Sequence, residues 1–117
     1  MADYTPLFKP GDAVTHTASA DVTGGRVVEI TGNRQVAAAG ADSAKVVGVA
    51  GFDAQSGESV TVFSGGVQRP IAAGAITAGA RVATGAGGTV SATGTNKIGT
   101  ALAAAADGAA VPIQFDR

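Results

Sequence analysis

The chain has 117 residues, with 18 Gly, no Cys, no Trp and a formal net charge of −1 at pH 7. A disulfide framework, thiolate chemistry and a cysteine-based zinc site are thereby excluded, and the eight Lys and Arg, scattered singly, lack the basic clustering that phosphate neutralisation asks of a nucleic-acid binder. Apolar residues make up 45% of the chain but aromatic ones only 4%, so the large-residue core is thin and further burial against a second copy or a partner is expected.

Residues 1–12 read as an extended arm. Pro6 and Pro10 push their neighbours towards extended backbone, and Tyr4, Leu7 and Phe8 sit beside them. Such a segment can lie across a partner or pack on its own domain, and the same side chains serve both. The opening Met-Ala-Asp-Tyr-Thr-Pro carries an acid and an early proline where a secretory leader would be basic and then apolar, so a soluble protein made in the cytoplasm is expected. Residues 82–96 lack charge but are rich in Gly and Thr, unlike a membrane span.

Residues 13–117 are expected to form a single β domain. Short β-rich runs recur at 13–16, 26–30, 35–38, 45–50, 59–63, 67–69, 81–84, 89–92, 97–101 and 110–115. Between them lie Thr31-Gly32-Asn33, Gln55-Ser56-Gly57, Gly85-Ala86-Gly87-Gly88 and Asp107-Gly108, residues that tolerate positive φ in turns. Pro112 lacks an N–H and predicts an edge strand or a bulge for the last run. The alanine run at 101–106 has high helix propensity but room for one helical turn at most. The fold class is all-β, a small β-barrel or β-sandwich.

An internal repeat runs through this pattern. Val47-Gly48-Val49-Ala50 matches Ile98-Gly99-Thr100-Ala101 at an offset of 51, which also places Ala54 on Ala105, Gly57 on Gly108, Val60 on Val111 and Val62 on Ile113. Upstream, Gly25-Arg26-Val27 resembles Ala80-Arg81-Val82 at an offset of 55. A strand interrupted by Gly, a turn and a half-buried strand thus occur twice, which suggests a duplicated β unit about a pseudo-two-fold core.

Chemistry-bearing residues are sparse. His16 is the single histidine, on a strand and without a marked partner for base catalysis. The nine acids are dispersed; Asp53, Glu58 and Asp107 stand at turns, where carboxylates satisfy local N–H groups. Gly94-Thr95-Asn96-Lys97-Ile98-Gly99 has the glycine spacing of a phosphate loop, but Thr100 follows where Lys is required. No catalytic residue, cofactor, metal or small-molecule substrate is expected.

The ordered series Pro10-Gly11-Asp12-Ala13-Val14, Thr23-Gly24-Gly25-Arg26-Val27-Val28, Val47-Gly48-Val49-Ala50, Gly65-Gly66-Val67 with Pro70, Ile76-Thr77-Ala78-Gly79-Ala80-Arg81-Val82, Lys97-Ile98-Gly99-Thr100-Ala101-Leu102 and Asp107-Gly108 with Val111-Pro112-Ile113 resembles the small head decoration (capsid cement) proteins of tailed bacteriophages. The likeness covers nearly the whole chain and departs at Ala80, where an acidic residue is expected. It implies a non-enzymatic β protein, commonly a homotrimer, on the outer surface of the phage head. Its partner would be the major capsid protein, whose lattice it stabilises. Tyr4, Pro6, Leu7 and Phe8 are the expected partner-binding residues; nucleic acid and membrane are not expected partners. The alternative is a β-sandwich binding module of a virion or cell surface that recognises carbohydrate or a host surface.

Overall fold

A computed structural model describes Leu7, Phe8 and residues 12–116. Ten strands follow in order: β1 (Val14–Ala18), β2 (Val27–Gly32), β3 (Gln35–Ala38), β4 (Val46–Ala50), β5 (Ser59–Phe63), β6 (Val67–Gln68), β7 (Arg81–Thr84), β8 (Val90–Ser91), β9 (Gly99–Ala101) and β10 (Ile113–Phe115). Each falls on one of the ten runs expected from the sequence.

One local expectation, for Pro112, differs from the structure, and the alanine run stays within the single turn allowed for it. The alanine run forms no helical turn, because Ala101 ends β9 and Ala105 is bridged to Ile76; tertiary pairing overrides propensity. The one short 3-10 turn among the described residues is Ala86–Gly88, with Gly87 and Gly88 at φ of 68° and 79°. Pro112, moreover, does not mark an edge. It precedes β10, which lies between β6 and β9; Val111 before it donates to the Pro70 carbonyl, and Pro112 itself takes part only as the acceptor of the Leu102 N–H.

Strands β1 to β5 close into a barrel in the order β1-β3-β2-β4-β5. Closure comes from β1, which runs antiparallel to β5 and parallel to β3 through Thr17↔Gln35 and Ala18↔Val36. The remaining strands form a sheet in the order β6-β10-β9-β7-β8. A lone parallel bridge, Ala72↔Val90, ties its two margins together. That bridge stands 54 residues beyond Ala18↔Val36, and the two sheets share one topology.

The correspondence extends to individual hydrogen bonds. The Gly51 N–H donates to the Thr61 carbonyl and Leu102 to that of Pro112; Ser19 donates to Val36 and Ala73 to Val90; Ala18 donates to Glu58 and Ala72 to Ala109. The upstream offset is 54, not 55. Gly25 and Gly79 take φ of 86° and 85°, and their N–H groups reach Ala50 and Ala101 at 2.8 Å, so Gly25 matches Gly79 and Val28 matches Val82. Side-chain identity had pointed one residue astray, because Arg26 and Arg81 are alike but are not equivalent.

The core is duplicated in the same register. Ala18, Val22, Val28, Val36, Ala50, Ala54, Val60 and Val62 fill the first barrel. Ala72, Ile76, Val82, Val90, Ala101, Ala105, Val111 and Ile113 stand at the equivalent places in the second half. The small side chains are a consequence of the narrow interior that a five-stranded barrel encloses. Gly48 and Gly99 are required by close approach: a Cβ on Gly99 would lie 2.5 Å from the Gln114 carbonyl oxygen and 2.7 Å from Ile113 Cγ2, and one on Gly48 would meet the Phe63 carbonyl and Val62 in the same way.

The junction between the halves is one-sided. Val27, Ala39 and Val49, which the first barrel does not use inside, pack into the core of the second half. Their counterparts Arg81, Thr93 and Thr100 are partly or fully exposed. Ala39 accepts the Gly88 N–H at 2.8 Å, whereas the equivalent Arg34 instead donates its guanidinium to Thr15. The duplication is therefore present without the expected two-fold relation between its copies.

Between equivalent positions the first copy is three residues longer, with Val36 to Val47 against Val90 to Ile98, and this stretch forms a clasp. The Thr84 hydroxyl donates to the Gly40 carbonyl at 2.7 Å and accepts the Ser43 N–H at 2.8 Å, while the Asp42 N–H reaches the Thr84 carbonyl. Thr84 is 1% exposed, and this pairing satisfies a hydroxyl whose burial unpaired would be costly. Its counterpart in the first barrel is the apolar Ile30, which faces no clasp.

Candidate functional site

Of the four expected partner-binding residues, Tyr4 and Pro6 lie outside the described residues. Leu7 is 87% exposed and Phe8 39% exposed. The Arg34 guanidinium sits 5.7 Å from the centroid of the Phe8 ring, within the range of a cation–π contact. Arg34 occupies the β2–β3 turn at φ 54°. Phe8 is thus held against the chain's own hairpin, while Leu7 projects to solvent.

A groove of about 410 Å³ runs between the two halves, floored by Val14, Val47, Ile98 and Phe115 and rimmed by His16, Lys97 and Asp116. Its polar rim is already engaged. His16 Nδ1 lies 3.3 Å from the Val14 carbonyl, Lys97 Nζ donates to Ala92 at 3.1 Å, and Asp116 forms a two-pronged pair with Arg81 at 2.6 and 2.7 Å. That pair holds the Arg81 guanidinium pKa above its usual value. The groove is lined by apolar and polar groups together.

A second, smaller crevice of about 220 Å³ is walled by Phe63 and Arg69 and floored by the main chain of Val49, Ala50 and Gly51. The Phe63 ring lies over Gly51, where a Cβ would come within 2.7 Å of Cε2. Phe52 follows in sequence. Phe52 and Phe63 are 49% and 44% exposed. These two phenylalanines were not among the expected site residues, although the offset of 51 could have singled them out. It sets Phe52 against Ala103 and Phe63 against Gln114, so the fold has no need of an aromatic at either place.

The acids placed at turns accept backbone N–H groups, but only Glu58 accepts a local one; Asp53 and Asp107 take theirs from turns distant in sequence. Asp53 takes the Gly24 N–H, Glu58 that of Gln55 and Asp107 that of Gly74. The loop with phosphate-like glycine spacing is filled from within: Asp42 Oδ1 accepts the N–H groups of Asn96 at 2.7 Å and Thr95 at 3.0 Å. These bonds hold the Asp42 carboxyl below the usual carboxylate range. A backbone N–H pair that could have cradled an anion is used to fasten the two halves together.

Large apolar side chains are thus exposed at Leu7, Phe52 and Phe63, and the polar groups named above have partners within the chain. The profile of a family described as phage cement protein matches residues 8–115. The fold is similar to that of the N base of head fiber gp8.5 in bacteriophage phi29, with a TM-score of 0.72 and 21% identity over 90% of this chain and 93% of that one. No curated protein sequence matches.

Proposed function

The chain belongs to the phage cement protein family, a family of structural proteins associated with the phage capsid, and from that premise we propose that it decorates the outer surface of the assembled head and stabilises the lattice of the major capsid protein. The observation that carries this reading is the span of the family match, which takes in both barrel halves and the start of the chain from Phe8. A head fiber base of like fold supports it.

The mechanism is linkage. A protein that binds the assembled shell in preference to its separate subunits stabilises that shell by its differential binding free energy and by nothing else. Each copy must therefore span neighbouring capsid subunits, and a homotrimer at a three-fold or quasi-three-fold position does so symmetrically. A formal charge of −1 lets many copies crowd one surface with little mutual repulsion. Among the described residues of the expected arm, Leu7 is exposed for contact while Phe8 leans on Arg34.

The test is co-sedimentation with purified capsids, before and after expansion, using the full chain and a variant lacking residues 1–10. The full chain should sediment with the shell and raise its melting temperature. The truncated variant should bind more weakly by a larger margin than its own melting temperature falls. Failure of the full chain to sediment with either form of shell would refute the reading. Light scattering after size exclusion decides whether the trimer forms in solution.

A further inference from the structure

We propose that the two halves are unequal partners: the first barrel stands on its own core, whereas the second half stays folded only while the first barrel walls it, so that the second half opens first and alone. This goes beyond the capsid reading and does not depend on it. The membership of the two cores carries the inference. Every buried residue of the first cluster, from Ala18 to Val62, belongs to the first barrel. Of the eleven buried residues in the second cluster, Val27, Ala39 and Val49 come from the first barrel. Loss of the second half would uncover one outer face of the first barrel and leave its interior filled. Loss of the first barrel would cut the second half's core open. The dependence runs one way.

The strand ladders point in the same direction. Strands of the first half have four to six residues, and those of the second two to four. Two residue pairs, Thr17↔Gln35 and Ala18↔Val36, close the first barrel; the single bridge Ala72↔Val90 does so for the second. A region with fewer pairings and a borrowed core opens at a lower free energy than one that is complete in itself. The clasp does not couple the two more tightly. Its bonds to Thr84 come from Gly40, Asp42 and Ser43, which lie between β3 and β4, so their release leaves the pairing of the first barrel intact.

Native-state amide exchange on the full chain reads the two openings separately. The repeat supplies matched N–H groups, Ala18 with Ala72, Ser19 with Ala73 and Gly51 with Leu102, each pair donating to equivalent carbonyls. Corrected for intrinsic rate, the second member of each pair should be at least about thirtyfold less protected. Val36→Ala should lower protection of the first barrel about thirtyfold and that of the second half less than about threefold, because Val36 stays packed when only the second half opens. Val90→Ala should lower both alike, because each opening unpacks it. Val27→Arg with Val49→Thr gives the first barrel the outward residues that the second half carries at Arg81 and Thr100. In V27R/V49T the second half should lose its protection while Ala18, Ser19 and Gly51 keep theirs. Equal protection within the matched pairs, with Val36→Ala lowering both halves together, would show one cooperative unit and overturn the proposal. So would a V27R/V49T chain in which both halves stay protected, or in which neither does.

Discussion

Replacing either strand glycine by alanine probes the duplication most directly. At Gly99 the new methyl would stand 2.5 Å from the Gln114 carbonyl oxygen and 2.7 Å from Ile113 Cγ2, where ordinary contact begins near 3.4 Å. Neither obstacle is the tip of a mobile side chain: one is backbone in β10, and Ile113 is fully buried. Strand β9 must retreat by about 0.9 Å from its partner, which stretches the Gly99↔Phe115 register and opens the core beside it. Overpacking of this kind costs about 1–3 kcal/mol, and a clash with backbone belongs in the upper half of that range. At about 4 °C per kcal/mol for a chain of this length, Gly99→Ala should melt about 8–12 °C lower. Gly48→Ala should cost at least as much, because its Cβ meets the equivalent carbonyl of Phe63 and side chain of Val62 and its φ of 156° adds backbone strain that Gly99 does not carry. Gly40→Ala is the control: its nearest neighbour would be Glu29 Oε1 at 4.0 Å, and its stability should stay within about 0.5 kcal/mol. Melting followed by circular dichroism, with urea titration for the free energy, reads all three. Should either Gly99→Ala or Gly48→Ala melt with the control, the claim that the two halves share one close-packed strand crossing is wrong.

Two further perturbations test the core and the clasp. Val36→Ala and Val90→Ala remove equivalent side chains that are both fully buried; each should cost about 2 kcal/mol, and a difference well above 1 kcal/mol between them would show that the halves are not packed alike. Asp42 has its carboxyl pKa lowered in the fold by the N–H groups of Asn96 and Thr95, so its charged form favours the folded state. That contribution is complete above the unfolded carboxylate pKa and disappears as pH falls through the lowered folded value. Asp42→Ala should flatten the acid limb of a plot of urea midpoint against pH, and limbs that stay parallel would contradict the role of the clasp.

The candidate site was legible only in part. Leu7 and Phe8 stood out because large apolar residues beside prolines are conspicuous in so light a chain, and one of them, Leu7, is fully presented. Phe52 and Phe63 passed unremarked because each lies in or next to a β-rich run, where a phenylalanine reads as core. The offset of 51 was already in hand, and setting the two copies against each other would have exposed both as additions.

What the sequence determined by itself was the all-β class, the place of all ten strands and the existence of a repeat, because turn residues, β-branched runs and their spacing act over a few residues at a time. The tertiary structure decided the rest. Offset 54 replaced 55 because hydrogen-bond register, not side-chain likeness, defines equivalence. Pro112 fell beside a central strand because edges are set by sheet order, which depends on pairings between residues far apart in the chain. The two halves joined one-sidedly because Val27 and Val49 are buried where Arg81 and Thr100 cannot be, and no local pattern distinguishes a valine that faces its own barrel from one that completes its neighbour's.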